Sequence, residues 1–84
     1  MDNIRQKVRS LVERMASAPK GPVRSSERLV DDLGYDSLRL IDLAHSLESE
    51  FAMPPVNERE MMSVITVGDL EDLVVGRLAV RSGP

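Results

Sequence analysis

The chain has 84 residues, 42% of them hydrophobic but with one Tyr, one Phe and no Trp, and a formal net charge of -3. A chain this short is one domain that buries only about 60% of its unfolded surface, and an aliphatic, Met-filled core suits helices better than a sandwich. No Cys and a single His exclude a disulfide framework, a thiolate nucleophile and a Cys-based zinc site. The polar start Met1-Asp2-Asn3-Ile4-Arg5 has no apolar run behind it, so neither a signal peptide nor a membrane span is expected, and the cytoplasm is the expected compartment.

Ile4, Val8, Leu11, Val12 and Met15 recur at intervals of four, three, one and three, which places them on one stripe of a helix from about Asn3 to Ala18. Pro19, Gly21 and Pro22 stop it. Residues 1–28 carry Arg5, Lys7, Arg9, Arg14, Lys20, Arg24 and Arg28 against Asp2, Glu13 and Glu27, a local balance of +4. With no aromatic residues interleaved, these cations read as the outward side of an amphipathic helix and not as a nucleic-acid surface. Residues 29–72 reverse the sign, with eleven acids against Arg39 and Arg59. Such a field is either a solvated surface or a means of speeding encounters with basic partners over a Debye length of about 8–10 Å.

The connection from Pro19 to Asp36 is long for so small a domain, and a loop of this kind either performs a function or packs over the core. Leu29, Val30 and Leu33 are its expected apolar anchors, and Ser25-Ser26-Glu27 its expected short turn. The loop closes on Asp32-Leu33-Gly34-Tyr35-Asp36-Ser37-Leu38. Gly34 can adopt a backbone conformation closed to other residues, and Asp36 is a favoured N-cap, so a helix is predicted to start at Ser37 and run to about Phe51. Its buried face is Leu40, Leu43, Ala44, Leu47 and Phe51. The other side presents Leu38, Ile41, Asp42, His45, Glu48 and Ser49, with Leu38 and Ile41 forming a small apolar patch rimmed by charge, the anatomy of a weak docking surface.

Pro54-Pro55 ends this helix and forces an extended link. Asn57 is the N-cap of a short helix through Met62, which only tertiary contacts can hold. Met61, Met62, Val64 and Ile65 make a deformable apolar cluster, read first as core filling. Thr66 and Asp69 approximate a capping box that opens a last helix from Val67 to about Val80. Val67, Leu70, Leu73, Val74 and Leu78 form its inner stripe. Gly76 weakens it by roughly 1 kcal/mol unless close packing requires it, and Arg81-Ser82-Gly83-Pro84 should fray.

The order Leu-Gly-x-Asp-Ser-Leu, followed by an apolar helix ending in Leu47-Glu48-Ser49-Glu50-Phe51 and by Thr66-Val67-Gly68-Asp69-Leu70 downstream, resembles acyl carrier proteins over roughly residues 4–80. The resemblance implies an all-α fold, a small four-helix bundle with a long first loop and a short third helix, in one domain spanning residues 1–84. It implies that 4'-phosphopantetheine is joined to Ser37 by a phosphopantetheinyl transferase, with Asp36 part of the motif that the transferase and its magnesium meet. It also implies that Leu38, Ile41, Asp42, His45 and Glu48 meet acyl-loading, ketosynthase-type and tailoring enzymes, and that Met61, Met62 and Ile65 line a cleft able to admit an acyl chain. Arg39, His45 and Ser49 depart from the fatty-acid type. Those departures favour a discrete carrier of a polyketide or related specialised pathway over a housekeeping fatty-acid carrier, while a freestanding peptidyl or aminoacyl carrier, whose motif more often has two glycines where this chain has Gly34 alone, stays open; a monomer is expected.

The residues themselves argue against catalysis by this chain. His45 is eight residues beyond Ser37, over ~10 Å along a helix rising 1.5 Å per residue, and a serine without a neighbouring base is a poor nucleophile. No phosphate-cradling glycine loop is present. The reading from a different class is a small helical interaction or regulatory module, unmodified or phosphorylated at Ser37.

Overall fold

The computed structural model describes residues 2–16 and 21–82. The apolar stripe of the first segment forms α1, Asp2–Met15, with Val8, Leu11 and Val12 buried and Ile4 and Met15 packed against the core. The helix ends before the predicted boundary at Ala18. Ala16 is already non-helical and turns its N–H back to the Glu13 carbonyl at 3.4 Å, one residue tighter than the α-helical spacing of four, as helix ends commonly are. Ser17, Ala18 and Pro19 lie outside the described residues.

The loop that follows is a packed structure. Its first turn falls where Ser25-Ser26-Glu27 predicted it, closed by Glu27 N–H to the Arg24 carbonyl at 3.1 Å. Backbone bonds then join it to the stretch leading into the last helix: Gly68 N–H to Ser25, Val67 N–H to Glu27 and Leu29 N–H to Ile65, at 2.8, 2.9 and 2.9 Å. Gly68 lets the two backbones approach this closely, since a Cβ would sit 3.2 Å from the Ser25 carbonyl oxygen and press the loop outward by a few tenths of an ångström. Leu29 and Leu33 are buried, but Val30, the third expected anchor, is 52% exposed. The segment 28–34 coils, with Asp32 and Leu33 N–H on the Arg28 carbonyl and Gly34 N–H on that of Val30. Residues four apart therefore share the inner side and Val30 faces out.

The second helix, α2, is Ser37–Phe51, as predicted. Leu40, Leu43, Ala44 and Leu47 are buried, and Phe51 is only half-buried against the same core. Its terminator is not the proline pair but Ala52, which takes a left-handed conformation at φ 49°. Met53 N–H also returns to the Glu48 carbonyl at 3.2 Å. The prolines come after the stop and keep the link extended. The Glu48 carboxylate accepts the Val56 N–H at 2.8 Å and so fixes that link from within α2.

Five residues make α3, Glu58–Met62, opened by the reciprocal pair of Asn57 and Glu60. Met61 is buried under it, and Arg77 holds it from outside by pairing with Glu60 and donating to the Pro55 carbonyl. The last helix, α4, is Val67–Ser82. Thr66 Oγ1 accepts Asp69 N–H at 3.0 Å, and the Asp69 carboxylate accepts Thr66 and Ile65 N–H at 3.1 and 3.2 Å. Those backbone donors hold the Asp69 carboxyl below the usual carboxylate range. The helical backbone runs to Ser82, two residues beyond the predicted end at about Val80, since after Gly76 no helix breaker occurs before Gly83. Gly83 and Pro84 lie outside the described residues.

α1 packs on α4 and α2, and α2 packs on α3, giving an all-α four-helix bundle with a long loop after α1 and a short third helix. Arg5 and Arg9, expected to point outward, cross to α4, where Glu71 accepts at 3.2 and 3.3 Å and Asp72 accepts from Arg5 at 2.9 Å. Glu71, 2% exposed, is the one buried charged side chain among the described residues. Part of the charge asymmetry along the chain is therefore internal pairing.

Candidate functional site

The end of the long loop and the start of α2 make one local structure. Tyr35 N–H bonds the Leu29 carbonyl at 2.9 Å and closes the 29–35 coil. Gly34 supplies the left-handed turn, at φ 76°, that lets the chain leave that coil in the direction of α2. Asp36 is extended, at φ -121° and ψ -178°, with its carboxylate on Arg39 N–H at 2.8 Å. Its carbonyl accepts the first intrahelical bond, from Leu40 N–H at 2.9 Å. This is N-cap geometry, and it leaves Ser37 exposed as the first residue of the helix.

Ser37 lies where unpaired backbone N–H groups gather and the helix dipole is positive. A phosphate ester on its hydroxyl would meet favourable partial charge, opposed by Asp36, whose carboxylate is already occupied by Arg39 N–H. An exposed hydroxyl at such a position fits a covalent phosphate-linked arm. His45 is exposed two turns along the same helix, too far along it to serve Ser37 as a base. The hydroxyl is equipped to be modified and not to catalyse.

Beyond Ser37, Leu38 is 75% exposed, Asp42 and His45 are exposed, and Ile41 is half-buried. These four share the outer side of α2. Glu48 is half-buried and committed to Val56 N–H, so it differs from its neighbours on that side. The Met cluster divides. Met61 is fully buried and Val64 nearly so, whereas Met62 and Ile65 are 38% and 60% exposed. With Arg28, Val30, Asp31 and Val64, Met62 and Ile65 wall an open hollow of about 290 Å³. Met61 belongs to the core and not to this hollow.

Arg39 does not project toward a partner. Its guanidinium donates to the Met15 carbonyl at the end of α1, at 2.8 Å, and Tyr35 Oη donates to the Val12 carbonyl at 2.8 Å. Sequence reading missed these tethers and the Glu71 cluster. The cluster had a readable signal: Glu71 falls four after Val67 and three before Val74, on the inner stripe of α4, where an acid must find a partner. Among the described residues no three His, Cys, Asp or Glu are grouped to hold a metal ion, and no helix is long and apolar enough to cross a membrane.

A small helical bundle that presents an exposed hydroxyl at a helix start offers a place for another enzyme to attach a group. Residues 6–74 match the phosphopantetheine attachment site family. Over 77 residues the chain is 34% identical to an acyl carrier protein of Thermotoga maritima, covering 92% of this chain and 94% of that one. A crystal structure of an acyl carrier protein from Thermotoga maritima superimposes with a TM-score of 0.78 at 25% identity, over 96% of this chain and 93% of that one. The solution structure of the acetyl actinorhodin acyl carrier protein from Streptomyces coelicolor gives 0.72 at 29% identity, over 89% and 90%. The chain belongs to the acyl carrier protein family, with a phosphopantetheine-attachment domain. It is a non-catalytic carrier of acyl groups, bound as thioesters to a covalently attached phosphopantetheine. Partners typical of the family are a phosphopantetheinyl transferase and synthase enzymes.

Proposed function

We propose that Ser37 is the attachment point of 4'-phosphopantetheine and that the chain, one carrier domain acting as a monomer in the cytoplasm, serves a polyketide or related specialised pathway. The observation that carries the attachment is the exposure of Ser37 as the first residue of α2, directly after the Asp36 cap. In the transfer, the Ser37 Oγ–phosphorus bond forms as the pyrophosphate bond of coenzyme A breaks. Adenosine 3',5'-bisphosphate leaves, and the transferase takes the hydroxyl proton. The arm's terminal thiol then carries the acyl group. Asp36 caps α2 and faces the transferase. Leu38, Ile41, Asp42 and His45 form the surface for transferase and synthase enzymes, with Glu48 at its edge.

The pathway assignment rests on His45 and Ser49, as departures from the fatty-acid type, and on the likeness to the actinorhodin carrier. Arg39 no longer contributes, because its side chain has a structural partner within the chain. The open hollow beside Met62 and Ile65 is a place where a short acyl chain could rest.

The test is intact mass spectrometry of the purified protein before and after incubation with coenzyme A and a broad-specificity transferase. One phosphopantetheine mass should be added to the wild type and none to Ser37→Ala. A folded wild-type protein that gains nothing would sink the attachment. Competition between malonyl and aminoacyl loading enzymes for the modified protein then tests an acyl against an aminoacyl cargo, with aminoacyl loading the outcome that overturns an acyl pathway.

A further inference from the structure

Ser37 stands midway between two side chains that reach back to the same end of α1. Tyr35, two residues before it, donates its hydroxyl to the Val12 carbonyl at 2.8 Å in buried surroundings. Arg39, two residues after it, donates from Nη1 to the Met15 carbonyl at 2.8 Å. The last four carbonyls of a helix have no partner within it. In α1 these belong to Val12, Glu13, Arg14 and Met15, and Ala16 N–H takes that of Glu13. Tyr35 and Arg39 thus occupy two of the remaining three, and the Arg39 cation also suits the negative end of the α1 dipole.

The two tethers differ from the Asp36 cap in what they fix. The cap sets the start of α2 relative to its own first turn, and without other contacts that turn could tilt or fray as a unit. Tyr35 and Arg39 fix it relative to α1, a separate support that Arg5 and Arg9 bind in turn to Glu71 on α4. Arg39 serves both devices, since its backbone N–H is the partner of the Asp36 carboxylate.

We propose that Tyr35 and Arg39 are positioning residues for phosphopantetheine transfer, pinning the turn that carries the hydroxyl to the end of α1 so that Oγ is presented in one direction. The proposal rests on the Ser37 attachment. Its physical basis is that in-line attack on phosphorus tolerates little displacement: a misplacement of about 1 Å costs up to ~100-fold in rate.

The experiment is steady-state transfer from coenzyme A to wild type, Tyr35→Phe, Arg39→Gln and the double variant, with carrier concentration varied. Hydrogen exchange of the Tyr35–Arg39 amides is measured on the same samples. Val74→Ala, which thins the core under α4 away from this turn, is the control for lost stability. The double variant should lose about tenfold in kcat with KM for the carrier within about twofold, and its Tyr35–Arg39 amides should exchange faster, while Val74→Ala keeps its kcat. An unchanged kcat overturns the proposal. So does a rise in KM alone, which would make Arg39 a docking residue, or an equal fall in the Val74→Ala control. Should the double variant not fold, the single variants decide by the same criteria. A wild-type chain that accepts no arm refutes the attachment itself, whereas a modified wild type with unaffected variants refutes only the positioning role.

Discussion

The Ser25 hydroxyl donates to Glu71 Oε2 at 2.6 Å, across 46 residues of sequence, and places the long loop on the carboxylate that already binds Arg5 and Arg9. A carboxylate this deeply buried is tolerable only because three donors surround it. The same loop residue gives its carbonyl to Gly68 N–H, so Ser25 is held to α4 by both backbone and side chain. This junction sets where the loop begins its approach to Ser37.

Removing Glu71 should therefore cost far more than removing its neighbour. Glu71→Ala leaves two half-buried guanidinium groups and a hydroxyl without their acceptor, and we expect a loss of about 1–3 kcal/mol in denaturant melts. Asp72→Ala, on a side chain 68% exposed, should stay within about 0.5 kcal/mol. Equal effects of the two would show that the buried cluster contributes nothing special.

Gly76 offers the opposite change. It is exposed within α4, and a Cβ built there meets nothing within 4 Å, so close packing does not require it. Gly76→Ala should raise stability by about 0.5–1 kcal/mol through helix propensity alone. A melt showing destabilisation would mean that an unseen contact occupies that space.

What the sequence made legible was whatever depends on near neighbours. The start and end of α2, the Asn57 and Thr66 caps and the buried Leu40, Leu43 and Leu47 all follow from short-range spacing. Val30 was misjudged because its exposure depends on the 28–34 coil, a structure without helical periodicity to announce it. Arg5, Arg9 and Arg39 were misjudged for a different reason: a long cation looks the same in sequence whether it points to water or crosses to a carbonyl or carboxylate on another helix. The exposed serine could be read because Gly34, Asp36 and Ser37 define it locally. The supports behind it, Val12 and Met15, lie over twenty residues away.

The outer side of α2 makes a separable prediction about partners. Asp42 is exposed, and Asp42→Lys should change stability by no more than about 0.5 kcal/mol while weakening reactions with partner enzymes and flattening their salt dependence. Glu48→Lys should also loosen the 53–56 link, since it removes the acceptor of Val56 N–H, at a cost of about 1 kcal/mol. Partner kinetics unchanged in Asp42→Lys would remove this surface from the account.

Tyr35 gives the chain a spectroscopic and thermodynamic signature at alkaline pH. It is the only tyrosine, and there is no tryptophan, so the tyrosinate absorbance reports on this group alone. Burial raises its pKa from 10.0 to about 12, against the opposing pull of the nearby Arg39 charge. The folded state therefore prefers the neutral phenol that donates to Val12. The resulting stabilisation is fully present below pH 10, where the unfolded chain would begin to ionise, and is lost as pH rises through about 12. Denaturant melts over that interval should show falling stability in the wild type and a shallower fall in Tyr35→Phe. Arg39→Gln, which removes the charge favouring tyrosinate, should move the absorbance midpoint further up. A wild-type midpoint near 10 in the folded protein would mean that the phenol is solvated, and that its bond to the end of α1 does not form.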